Sequence, residues 1–247
     1  MKVHRIIMLI VAIMASAGTN AQGPRQRYTP FYTREQAPHI ENVIPQPPST
    51  SDPKFFYDWT QYQWGKSIRE TERGQQAVED AGINASYFMK RFSPALSYTI
   101  TREQNPVLYE LLNKAHHTES QAGASAKEYF ARVRPYQQFK EPTGLPGSEN
   151  PTDFTSYPSG HTHAAWLVGM ILTSIDPDNT EKIMEIAYEI GQSRVILGYH
   201  YQTDVDAGRV AGSITFARLC AMPEFLKMLQ AAKDEFQTVK AQLNKEQ

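Results

Sequence analysis

The chain has 247 residues, 25 basic against 26 acidic side chains and a formal net charge of −1. That balance argues against nucleic acid or an anionic membrane surface as the main partner. The single cysteine, Cys220, excludes an internal disulfide framework and leaves stability to the core. It lies in an apolar helical context and reads as an inert buried thiol.

Lys2, His4 and Arg5 precede the apolar run Ile6 to Ala15, and small residues follow. This is the layout of a secretory leader, with Ala15-Ser16-Ala17 or Thr19-Asn20-Ala21 as cleavage sites. Residues 1–21 are therefore read as a signal peptide, and the run is too short for an uncleaved anchor. Without Lys2 and Arg5 the mature chain sits near −3. Residues 22–53 carry seven of the sixteen prolines and read as an irregular arm ahead of one domain, 54–247.

From Phe55 to Arg73 aromatics mix with charges in a helical pattern, and Val107 to Leu112 reads as another helix. Further helical windows are Ala126 to Val133, Thr162 to Ser174, Thr180 to Leu197 and Val205 to Cys220. In the last window, Phe225, Leu229, Ala232, Phe236, Val239 and Leu243 repeat at steps of four and three, with Pro223 suited to a first turn. Leu96 to Ile100 is the one short stretch with strand-like alternation. The expected class is all-α, a globular helical bundle, with no membrane span.

Three clusters carry chemistry. In the first, Lys127 and Arg134 stand seven apart, which on one continuous helix returns them to the same face to converge on an anion. Arg132 should point elsewhere, about 160° away, and Pro135 fixes where Arg134 ends. Basic residues on a helix are more often a solvated face. In the second, Ser156 to His163, Ser159 can cap a helix and Gly160 lets backbone approach a ligand. Free amides at a helix start make an anion seat, His161 is placed to give a proton to a leaving oxygen, and His163 is structural. In the third, Asp204 lies four after His200, close enough to hold Nδ1 and leave Nε2 as nucleophile. Gly198 should end the helix that carries Arg194.

Each cluster alone is ordinary; together they make a phosphoryl-transfer set in which basic side chains do what Mg²⁺ does elsewhere. No carboxylate grouping resembles a metal site, so neither metal nor cofactor is expected.

Lys127…Arg134-Pro135, Pro158-Ser159-Gly160-His161 and Ser193-Arg194…His200…Asp204 resemble the signature of the phosphatidic acid phosphatase type 2 (PAP2) superfamily, shared with vanadium haloperoxidases. Within it the chain resembles the class A bacterial non-specific acid phosphatases from about Asp52 to Phe225, including Arg69 to Gly74, Tyr129 to Pro135 and Asp204 to Arg209. The resemblance implies a periplasmic, all-helical, metal-independent enzyme, often a homo-oligomer, of broad specificity for phosphate monoesters such as nucleotides, sugar phosphates and aryl phosphates. It implies that His200 attacks phosphorus, Asp204 orients it, and His161 protonates the leaving alcohol and then activates water. Lys127, Arg134, Ser159, Gly160 and Arg194 would hold the phosphate. An acidic optimum follows if His161 is protonated while His200 is neutral. Phosphotransfer to alcohols is an expected side activity. The rivals are a haloperoxidase-like enzyme holding vanadate and a non-catalytic phosphate-binding module; pure binding does not require His161, His200 and Asp204 together. Gln137 to Tyr157 and the region Tyr87 to Ile100 are expected at the pocket rim, the first placed to act as a lid.

Overall fold

The computed structural model describes residues 28–246. The leader reading of residues 1–21 and the start of the arm lie outside the described residues. Nine α-helices occur among them: α1 (Phe55–Ser67), α2 (Glu72–Glu79), α3 (Ala85–Phe92), α4 (Pro106–Phe130), α5 (Pro135–Phe139), α6 (Gly160–Ile175), α7 (Thr180–Ile196), α8 (Gln202–Cys220) and α9 (Pro223–Glu246). No strand forms among the described residues, and the class is all-α.

The centre is α6. Ala164, Ala165, Leu167, Val168, Ile171, Leu172 and Ile175 are all buried on one broad face, and Thr162, His163 and Gly169 extend the buried surface beyond it, as a helix packed among several others requires. It packs against α7 and α8 most extensively, then against α4 and α9. Phe225, Ala232 and Phe236 of the α9 stripe are fully buried. Glu235, on the same helix, accepts from the amides of Val107 and Leu108 at 2.9 and 3.1 Å. A carboxylate there satisfies orphan N–H groups at the start of α4 and complements its dipole.

Several local expectations are corrected. The windows Val107 to Leu112 and Ala126 to Val133 belong to a single helix, α4, whose middle buries Ala115 and Ala122 among polar residues that obscure the stripe. Its end comes earlier than expected: Ala131 is left-handed (φ 43°), so Arg132 to Arg134 are not helical. The window Phe55 to Arg73 breaks in two, because Thr71 turns extended and its Oγ1 accepts from Gly74 N at 3.4 Å as the cap of α2. Helices α3 and α5 were not expected. Leu96 to Ile100 finds no strand partner; Ser97 is instead held by the Asp176 carboxylate through its amide (2.9 Å) and hydroxyl (2.8 Å). Cys220 is half-buried, and burial raises its thiol pKa.

Residues 28–53 are irregular apart from two 3-10 turns, yet Phe31, Tyr32, Ile40 and Ile44 are buried in the main core. Burying such side chains contributes roughly 1.5–3 kcal/mol each, which ties the segment to the domain.

The start of α6 is pressed between α7 and α8. A Cβ on Gly208 of α8 would lie 2.8 Å from both the Ser159 carbonyl oxygen and Thr162 Cβ. Gly208→Ala is therefore expected to cost about 1–3 kcal/mol in urea unfolding and to lower turnover by displacing Ser159. Wild-type stability would contradict this contact.

Candidate active site

His200 sits in the tight connection between α7 and α8. Gly198 (φ 80°) ends the helix that carries Arg194, and the amides of Tyr199 and His200 return to the Arg194 carbonyl at 3.1 and 3.3 Å. The His200 ring is buried, with Nδ1 3.3 Å from Asp204 Oδ2 and Nε2 3.1 Å from Arg134 Nη1. The Ser156 carbonyl also bonds the ring. One nitrogen thus faces acceptors while the other faces a cation, an arrangement that stabilises the Nδ1–H tautomer and leaves the Nε2 lone pair outward.

Asp204 has no exposure and is fully engaged. Oδ2 accepts from Ser156 Oγ (2.6 Å) and Tyr201 N (3.0 Å), and Oδ1 from Arg132 Nη1 (2.5 Å). Burial raises its pKa, with Arg132 and the Ser156 hydroxyl opposing. Its carbonyl accepts from Ser159 N at 3.0 Å, joining the third cluster to the second.

Lys127 and Arg134 do converge, but not along one helix face as the spacing predicts. Lys127 leaves the last turn of α4, whereas Arg134 is the extended residue before α5 (ψ 155°), as a residue preceding proline prefers. The left-handed turn at Ala131 brings them together. Lys127 Nζ donates to the Thr155 and Pro158 carbonyls, both at 2.8 Å, leaving one of its three N–H groups. Arg134 is held by Asp153 (2.7 Å), the Tyr199 carbonyl (3.1 Å) and Thr155 Oγ1 (3.2 Å). Burial pushes Lys127 down to about 8, helped by Arg134.

Ser159 caps α6, its Oγ accepting from Thr162 N at 3.4 Å. A Cβ on Gly160 would lie 3.7 Å from Lys127 Cε, so the helix start and the lysine face the same space. Arg194 is 4 % exposed, yet its Nε and Nη1 find no hydrogen-bond partner among the described residues. Its guanidinium lies 4.6 Å from the Tyr199 ring centroid, and burial, with Arg134 adding, pushes its pKa down to about 10. A buried guanidinium with unsatisfied donors is suited to an anion.

His161 Nε2 lies 3.1 Å from the Ala81 carbonyl. Burial holds its pKa well below the usual range, and Arg194, His200 and Lys127 push the same way. His200 is lowered likewise, by burial and then by Arg134, Lys127 and Arg194. The eight sequence-selected residues are therefore brought together around a cluster of three cations, Lys127, Arg134 and Arg194. His163 is apart from it: Nδ1 is 3.2 Å from Glu119 Oε1 and Nε2 is 2.8 Å from Thr215 Oγ1. Burial pushes Glu119 up to about 8 and His163 down to about 3, so the pair is neutral.

The matching family model is the PAP2 superfamily, over residues 115–227. A non-specific acid phosphatase of Providencia stuartii is 41% identical over 200 residues, 80% of this chain and 81% of that one. The chain belongs to the PAP2 superfamily, and within it to the non-specific acid phosphatases. A second member, from Salmonella typhi, is 36% identical across 97% of this chain and 93% of its own. An acid phosphatase of Zymomonas mobilis is 28% identical, with 77% and 73% covered. No helix among the described residues is long and apolar enough to cross a membrane.

Several residues that hold this candidate site together have no role in the three motifs. Arg132 was set aside because a continuous helix would point it away. Ser156 lay in the second cluster without a function. Asp58 stands alone among aromatics, and Asp80 and Ala81 lie outside every motif. Asp80 is buried and accepts from Gln76, Tyr87 and Arg91 at 2.9 Å and from Ser193 at 2.6 Å. It fixes the turn whose next carbonyl, Ala81, holds His161. The expected lid, Gln137 to Tyr157, is pinned to itself and to its surroundings: Gln137 Nε2 donates to the Pro151 carbonyl at 2.7 Å, the Asn150 carbonyl accepts from Tyr136 Oη at 2.8 Å, and Ser148 bonds Tyr199.

Asp80→Ala strands Arg91, Tyr87 and Ser193, and is expected to cost about 3–5 kcal/mol. Chemical unfolding checks the stability, and turnover of the folded fraction should fall because His161 loses its fixed acceptor. Unchanged turnover and stability would show that the turn is not needed.

Proposed function

We propose that the chain hydrolyses phosphate monoesters of broad variety through a phosphohistidine on His200, without a metal, in the periplasm or outside the cell after removal of residues 1–21. The observation that carries this reading is the His200 ring, with Nδ1 against a buried carboxylate and Nε2 facing a guanidinium. In that setting Nε2 attacks phosphorus and the ester P–O bond breaks. The leaving alkoxide takes a proton from His161, and Asp204 stabilises the imidazolium. Water, deprotonated by His161, then attacks phosphorus, and the P–Nε2 bond breaks with its electron pair returning to the ring, releasing phosphate and neutral His200. Lys127, Arg134, Arg194 and the amides behind Ser159 and Gly160 stabilise the equatorial oxygens. Three cations at one seat supply the charge that a divalent ion would otherwise provide, and they repel such an ion.

Hydrolysis of p-nitrophenyl phosphate at mildly acidic pH should persist in excess EDTA and vanish in His200→Ala. Full activity in that variant, or its loss with EDTA in the wild type, would overturn the reading.

The lowered histidine pKa values carry a second consequence. A bound dianion offsets Arg194, Arg134 and Lys127, so the pKa values of His161 and His200 rise on binding. Protons are then taken up, and affinity falls as pH rises. Sulfate, which does not itself titrate there, isolates the effect. Calorimetry near pH 6 in buffers of different ionisation enthalpy should show proton uptake; release would contradict the assigned electrostatics.

A further inference from the structure

Behind the proposed nucleophile lies a row of buried charges, Asp58, Arg132 and Asp204, of which the motifs give a role to Asp204 alone. Arg132, whose side chain is 9 % exposed, bridges two carboxylates with none. Its Nη1 donates to Asp204 Oδ1 at 2.5 Å and to Thr203 Oγ1 at 2.8 Å; its Nη2 donates to Asp58 Oδ2 at 2.7 Å. The guanidinium carbon lies over the Tyr201 ring, 4.0 Å from its centroid. Asp58, from α1, reaches the first turn of α8, where its Oδ1 accepts from Thr203 N at 2.8 Å and its Oδ2 from Thr203 Oγ1 at 2.7 Å. It thereby caps the helix that carries Asp204.

We infer that Arg132 and Asp58 are positioning residues for phosphoryl transfer, which fix the ionised Asp204 carboxylate against His200 and set the charge that the ring meets as it becomes cationic. The inference rests on His200 being the nucleophile. Asp58, Arg132 and Asp204 together carry one negative charge beside a neutral ring. When Nε2 bonds phosphorus, the ring's positive charge brings the group to neutrality, and burial leaves these charges poorly screened. Without Arg132, two carboxylates would remain buried with no cation between them, and Asp204 would take up a proton and cease to accept from Nδ1. Without the charge on Asp58, the row would be neutral before reaction, and the imidazolium would meet less compensation. A lysine at 132 has one ammonium and cannot span both carboxylates in the plane that Arg132 uses. The other titratable groups facing Asp204 are His200, Lys127 and the phenols of Tyr157 and Tyr201.

The test is the pH profile of kcat and KM for p-nitrophenyl phosphate in Arg132→Gln and Asp58→Asn, with His200→Ala alongside. Arg132→Gln should lower kcat by about a hundredfold, leave KM within about twofold, and move the acid limb of kcat to higher pH, because Asp204 loses its cation. Asp58→Asn should lower kcat by about tenfold and move that limb to lower pH, because a negative charge has gone. A merely structural role would reduce the amount of active enzyme without moving either limb in these opposite directions. If Arg132→Gln does not fold, Asp58→Asn, which keeps every direct contact of Asp204, decides alone. Wild-type kcat in Asp58→Asn, or lost activity with an unmoved limb, would overturn the inference. Loss of turnover in His200→Ala beside wild-type behaviour in both variants would sink only this inference. Retained turnover in His200→Ala would remove the reading beneath it.

Discussion

Asp204 carries a carboxylate with no access to water, and the site is assembled from what that demands. A buried charge is tolerated only when paired and hydrogen-bonded. Here four partners arrive from three places: Arg132 after α4, Ser156 before α6, and the Tyr201 amide with the neighbouring His200 ring at the start of α8. Its backbone carbonyl also takes the Ser159 amide. Satisfying one residue therefore fixes the relative positions of the proposed nucleophile, the helix-start anion seat and the strand of chain that carries Arg134.

The opposite demand acts on the other side of His200. Lys127, Arg134 and Arg194 are crowded together, and burial and mutual repulsion lower the pKa of Lys127 and Arg194. That arrangement costs stability in the folded protein and is relieved by an anion. Burial first, and then the same field, push both histidine pKa values down, so in the proposed mechanism binding of a phosphate ester and protonation of His161 reinforce each other. The proposed acidic optimum would follow from this coupling rather than from the ordinary pKa of histidine.

The helical class was legible because α6 and α9 carry unambiguous patterns, one apolar all round and one striped. The eight candidate residues could be named because three spaced motifs carry them, and the structure brings them close together. What the sequence hid was geometry set by single backbone conformations. The left-handed Ala131 ends α4 early, so Lys127 and Arg134 meet by a turn rather than by helical periodicity. That same turn sends Arg132 onto Asp204, the opposite of what a continuous helix implies for its role. Asp58 and Asp80 were hidden for another reason: each acts across more than a hundred residues of chain, on Thr203 and Ser193 respectively. No local periodicity records such a contact. Phe31 and Ile40, set among prolines, likewise gave no sign that they enter the core.

The central claim is that His200 itself carries the phosphoryl group, and His161→Ala tests it most directly. A p-nitrophenolate leaving group needs no proton, so phosphorylation should proceed in that variant while hydrolysis stalls without its base. Rapid mixing with p-nitrophenyl phosphate should give a stoichiometric burst of nitrophenolate, and alkaline quenching followed by peptide mass spectrometry should place the phosphoryl group on His200. No burst, or a phosphoryl group on another residue, would contradict the account.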